Sequence, residues 1–101
     1  MLRPNYFLYK LIPPRQTFPN NMTDTEASIM AQHFEYWQTL EEKDLVLVYG
    51  PVLDPAGTWG LGIVQGDTPE DPRALGLDDP AVTSGMCTFE VHPMQDPFVR
   101  T

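Results

Sequence analysis

The period of the apolar positions changes several times along the chain, and each change marks an element. In residues 5–12, Asn-Tyr-Phe-Leu-Tyr-Lys-Leu-Ile, Phe7, Tyr9 and Leu11 alternate with Tyr6, Leu8 and Ile12, and the run meets Pro13-Pro14. That pattern predicts a strand ended by a breaker. After a polar loop containing Pro19, Asn20 and Asn21, Thr23-Asp24-Thr25-Glu26 has capping-box spacing, with hydroxyl and carboxylate each satisfying a free amide at a helix start. A helix is predicted from about Asp24 to Lys43. Ala27, Ile29, Met30, Phe34, Trp37 and Leu40 share one broad face of it at about 100° per residue, and His33 falls near the middle of that face.

Leu45–Leu53 and Trp59–Gln65 return to strand character, and the turn sequence Asp54-Pro55-Ala56-Gly57 between them predicts a hairpin. Thr68-Pro69-Glu70-Asp71 reads as a second helix start, with a capping hydroxyl, proline at the first helical position and acids at the positive end of the dipole. Pro72 keeps this helix short, since proline is tolerated only in a first turn. Asp78-Asp79-Pro80 ends it, Met86–Met94 is a final strand, and 95–101 reads as a tail behind a domain spanning 1–94. The order β-α-β-β-α-β predicts an α+β fold of the ferredoxin-like kind, a four-stranded antiparallel sheet with two helices on one face.

Such a fold leaves the other sheet face bare. In the second strand, alternation sets Leu45, Leu47 and Tyr49 against Val46, Val48 and Gly50, so neither side suits water. A second copy packed on the bare face resolves this, and a homodimer is predicted.

Composition narrows the function classes. The 101 residues suffice for one domain, and 42% hydrophobic content is that of a globular protein in spite of eleven prolines. Fourteen acidic against six basic residues give a formal charge of −8, which repels nucleic acid and anionic lipid. No apolar run approaches the roughly 20 residues that cross a bilayer. One cysteine, Cys87, excludes an intrachain disulfide and fits a reducing compartment. With no signal-peptide core after the first residues, a cytoplasmic location is expected.

His33 is the principal chemical candidate. A histidine turned toward the sheet requires a hydrogen-bonding partner, because an unsatisfied buried polar group costs on the order of 1 to 3 kcal/mol. Asp54, after the second strand, and Asp79, before the last, are both placed to serve. Burial lowers a histidine's pKa and a neighbouring carboxylate raises it, so such a pair suits a general base; the plainer alternative is a core histidine bonded to a backbone carbonyl. His92 lies on the face predicted to meet the second copy, and Cys87 alternates with Phe89 and Val91 toward the helices as a small core residue. No helix carries a two-histidine or histidine-glutamate metal spacing, so no metal is expected. The glycines of Gly57-Thr58-Trp59-Gly60-Leu61-Gly62 lie within the hairpin and do not open a helix, so they form no phosphate cradle.

The segments His33-Phe-Glu-Tyr-Trp-Gln-Thr-Leu-Glu-Glu42, Leu47-Val-Tyr-Gly50-Pro51-Val-Leu-Asp54, Gly57, and Asp78-Asp79-Pro80-Ala-Val-Thr-Ser-Gly85 stand in an order that resembles the YciI-like (YCII-related) family over most of residues 5–93. The resemblance implies a dimeric α/β barrel with a histidine and an aspartate lining a cleft. By position these are His33 and Asp79, with Asp54 as second choice, and Gly50 and Pro51 form the cleft wall. Trp59 is assigned by size and position as its lid. Relatives include an enzyme that eliminates chloride from a hydroxylated aromatic compound and, more distantly, muconolactone isomerases. The implied function is a cofactor-independent lyase or isomerase step on a cyclic or aromatic metabolite, with a His-Asp dyad as general acid and base. A non-catalytic metabolite-binding or structural dimer is the alternative. Tyr49, in place of a small residue before Gly-Pro, and Ala81, in place of phenylalanine after Asp-Pro, depart from the family pattern and alter the pocket lining.

Overall fold

In the computed structural model, which describes residues 5–100, the elements run β1 (Asn5–Ile12), α1 (Asp24–Glu42), β2 (Val46–Val52), β3 (Trp59–Gly66), α2 (Glu70–Leu77), α3 (Pro80–Thr83) and β4 (Thr88–Pro93). The sheet order is β2-β3-β1-β4 with every neighbouring pair antiparallel, the ferredoxin-like arrangement predicted above. Among the described residues no helix is long and apolar enough to cross a membrane.

Local chemistry accounts for the boundaries. The Thr23 hydroxyl accepts from the Glu26 amide at 3.1 Å and the Glu26 carboxylate accepts from the Thr23 amide at 2.9 Å, closing the capping box. The same carboxylate pairs with both terminal nitrogens of Arg15, which holds it down to about 2. At the other end of α1, Asp44 takes a left-handed φ of 58°, and the Leu45 and Asp44 amides donate back to the Leu40 and Glu41 carbonyls, each at 3.0 Å. This Schellman closure turns the chain directly into β2. In the hairpin, Asp54 accepts from the Gly57 amide through its carbonyl and from the Ala56 amide through its side chain, both at 2.9 Å, while Gly57 supplies a φ of 135°.

Three details differ from the sequence reading. α2 begins at Glu70, and its start is secured by Asp71, whose carboxylate reaches back to the Asp67 and Thr68 amides at 2.7 and 3.2 Å, so Thr68 does not cap it. Asp78-Asp79-Pro80 does end α2, but Asp79 immediately caps the one-turn helix α3, accepting from the Ala81 amide at 2.9 Å, and β4 starts only at Thr88. β2 carries a bulge between Val46 and Val48: Val46 pairs with Val64 and Val48 with Ile63. The extra residue resets the alternation, so Val46 and Tyr49 both face the helices while Val48, Gly50 and Val52 turn away.

The core lies between the sheet and the helices, built on Tyr9, Leu11, Trp37, Leu40, Val46, Val64, Ala81 and Cys87. Tyr9 stacks on Phe89 at 5.3 Å between ring centres and meets Trp37 at 4.8 Å. Gly62 makes the Trp37 position possible, because a Cβ there would stand 2.8 Å from two carbons of the indole. The inward stripe of α1 is narrower than predicted: His33, Trp37 and Leu40 are buried, whereas Phe34 is half exposed and Ala27 exposed. The first half of α1 overhangs a cavity, which Met30, His33 and Phe34 line.

Candidate active site

α1 and α3 together bring His33 to Asp79. The Asp79 side chain is completely buried and its two oxygens receive four donors. His33 Nδ1 lies 2.9 Å from both oxygens, Trp37 Nε1 donates to Oδ2 at 2.8 Å, the Tyr9 hydroxyl donates to Oδ2 at 3.2 Å, and the Ala81 amide donates to Oδ1 at 2.9 Å. Three separate elements, α1, β1 and the start of α3, therefore converge on one carboxylate.

Burial pushes the Asp79 carboxyl upward, but the hydrogen bond and charge of His33, with the bonds from Trp37 and Ala81, outweigh it and hold the group below its ordinary value of 3.8. Asp79 is thus an anion at neutral pH, and an ionised carboxylate only accepts. His33 Nδ1 must then carry a proton, which leaves Nε2 of the neutral ring as a lone-pair acceptor. Among the described residues Nε2 has no hydrogen-bond partner, and no fully buried side-chain nitrogen or oxygen lacks one, so Nε2 has open surface. The His33 side chain is 11% exposed, and it lines the cavity.

The cavity holds about 210 Å³ and is bounded mainly by carbon, including Leu11, Phe18, Met30, Trp37 and Leu61. Burial, followed by the charge of Asp79, drives the Tyr9 phenol far above its ordinary range, so it stays a donor. The same two influences raise the Cys87 thiol to about 11, which leaves it protonated and unreactive in the core.

The remaining sequence candidates fall as follows. Asp54 does not join His33: its carboxylate is engaged in the hairpin, by the Ala56 amide and by Trp59 Nε1 at 3.2 Å. Gly50 and Pro51 border the cavity, but a Cβ on Gly50 would meet nothing within 4 Å, because after the bulge that position faces away from the helices. Trp59 also borders the cavity, while its ring lies under the Lys10 ammonium at 4.9 Å, and Lys10 alternates with the buried Tyr9 and Leu11 onto the opposite face. His92 pairs with Glu90 at 2.9 Å on that same exposed face. Among the described residues no three His, Cys, Asp or Glu side chains gather as a metal site.

Sequence reasoning missed Trp37 and Tyr9 as partners of Asp79, reading Trp37 as part of the apolar face of α1 and Tyr9 as one position in the alternation of β1. A signal existed for Trp37, which is four residues from His33 and so stacks on the same helix face with its own N–H to satisfy. Tyr9 carried a similar hint, as a hydroxyl on the buried side of a central strand.

A search of curated proteins finds no match to this chain. The model of the YCII-related domain matches residues 10–95, a span that contains β1 from Lys10 onward, both members of the His33–Asp79 pair and the whole of β4. By that match, and with the predicted four-stranded antiparallel sheet in place, the chain belongs to the YCII-related domain family.

Proposed function

We propose that the protein is a cofactor-independent lyase or isomerase in which His33 moves a proton on a cyclic or aromatic metabolite. The observation that carries this reading is an imidazole on the wall of an apolar cavity, held through Nδ1 by a buried carboxylate, with Nε2 free of any partner among the described residues. Nε2 takes a proton from an acidic C–H or O–H of the bound ring, and Asp79 stabilises the imidazolium that forms. The proton then returns to a different carbon of the substrate, giving an isomer, or a leaving group departs with the electron pair, giving an elimination. Asp79 takes no proton in either case; it fixes the tautomer and balances the charge.

Nuclear magnetic resonance in D₂O tests this directly. The wild type is expected to catalyse deuterium exchange into a cyclic ketone or enol lactone that enters the cavity, and His33→Gln is expected to lose that exchange. Equal exchange by both proteins would refute the general base.

A structural reading of the pair draws support from one observation: Asp79 also caps α3. Under that reading His33→Gln would lower thermal stability markedly, whereas a histidine kept for chemistry can be replaced at little cost.

The proposed assembly is a homodimer, supported by the sheet face that turns away from the helices. There Leu8 lies between Ile63 and His92, Lys10 lies beside Leu61, and Val48 is 52% exposed. Sedimentation equilibrium giving a monomer at micromolar concentration would overturn it. A small-molecule ligand, a cytoplasmic setting and no role on nucleic acid or membrane complete the proposal, consistent with the formal charge of −8 and the free thiol of Cys87.

A further inference from the structure

The walls of the cavity carry no basic side chain among the described residues. Of the six basic residues, Arg3 lies outside the described residues, and none of the other five lines the cavity. Two of them contact side chains that border the cavity without lining it themselves. Arg15, which leans over the ring of the cavity residue Phe18 at 5.6 Å, directs its guanidinium to both oxygens of Glu26 and to Asn21 at 2.7 to 2.9 Å. Lys10 sits on the far side of the sheet over Trp59. His33 cannot substitute for them, because any imidazolium charge is already neutralised by the adjoining Asp79. A bound carboxylate or phosphate would therefore lose its hydration without gaining a counter-charge, inside a protein whose formal charge is already −8.

The size of the space sets the other limit. An apolar protein cavity of about 150 Å³ holds one benzene ring, so the 210 Å³ here encloses a single ring with a few substituent atoms. We propose that this site takes an uncharged single-ring compound, a phenol or a neutral cyclic ketone or lactone, and rejects ring carboxylates and phosphates of the same size. The inference rests on the acid–base reading above for the ligand's orientation. Its test needs no turnover, so the charge preference and the base role can fail separately.

Phenol and benzoate are the probes, titrated at pH 7 into the full chain while the indole N–H resonance of Trp37, a cavity residue, reports occupancy. Phenol is expected to shift that resonance and to bind at least about tenfold more tightly than benzoate. A cation is then introduced at the rim by Met22→Lys, a cavity residue 36% exposed and so tolerant of the change. That variant should narrow the phenol-to-benzoate ratio at least about threefold. Benzoate binding as tightly as phenol in the wild type, no response of the Trp37 signal to phenol, or a ratio unmoved by Met22→Lys would each overturn the proposal.

Discussion

Replacing Asp79 by asparagine keeps the side chain's shape and removes its charge, and the structure specifies where that change is felt. One carboxylate oxygen serves the Ala81 amide and the other serves Trp37 and Tyr9, with His33 Nδ1 equally close to both. Asparagine has one acceptor oxygen, so its NH₂ must face either the Trp37 indole N–H or the Ala81 N–H, and neither can accept. Tyr9 can rotate its hydroxyl and His33 can change tautomer, but one N–H stays unsatisfied in a fully buried place. That costs about 1 to 3 kcal/mol, and losing the charge-assisted bonds adds about 1 more. A total of about 2 to 4 kcal/mol in a chain of this size corresponds to a fall in Tm of roughly 10 to 30 °C. The difference must also depend on pH with a definite sign. The folded-state pKa of Asp79 is depressed below 3.8, so its contribution is present above that value and is lost as pH falls through the lower folded value. Calorimetry of both proteins at pH 7 and pH 3 should thus show a gap in Tm at neutral pH that narrows once the pH falls below about 4. A gap of under 2 °C at neutral pH, or one that persists unchanged at pH 3, would refute the account of Asp79 as a buried anion holding four donors.

Gly62→Ala places a methyl 2.8 Å from the Trp37 ring, and the displaced indole should cost about 1 to 3 kcal/mol in urea unfolding and perturb the near-ultraviolet dichroism. Gly50→Ala meets no atom of its own chain, and the position has no positive φ, so a monomer would gain about 0.4 to 1 kcal/mol. In the proposed dimer the added methyl enters the interface, and weaker association in sedimentation is expected; unchanged association would place that interface elsewhere. Thr23→Ala opens the capping box and should lower stability by about 1 kcal/mol without changing the resonances of His33. Cys87, raised to about 11, should resist iodoacetamide at pH 8 in the folded protein and react readily in guanidinium, as mass spectrometry would record.

How far the sequence could be read depended on the range of the interactions involved. The capping box at Thr23 and Glu26, the turn at Asp54–Gly57 and the break at Asp79-Pro80 act within a few residues, so the order of elements followed from local chemistry. His33 was legible as inward-facing because its neighbours on α1 repeat with the helical period. The family resemblance then ranked Asp79 ahead of Asp54, a choice that helical periodicity alone left open.

What only the tertiary structure decided were contacts between residues far apart in the chain. Asp79 is 46 residues from His33, 42 from Trp37 and 70 from Tyr9, so their convergence depends on how α1, α3 and β1 are stacked and not on any local pattern. The bulge in β2 is a property of pairing: one extra residue opposite β3 sends Val46 inward with Tyr49 and turns Gly50 away from the helices, separating two residues that strict alternation places on one face. Local propensities act within a turn or two of chain and so are written in consecutive residues. A buried carboxylate, by contrast, takes whatever donors the packed layers bring within 3 Å or so, and only the folded chain determines which those are.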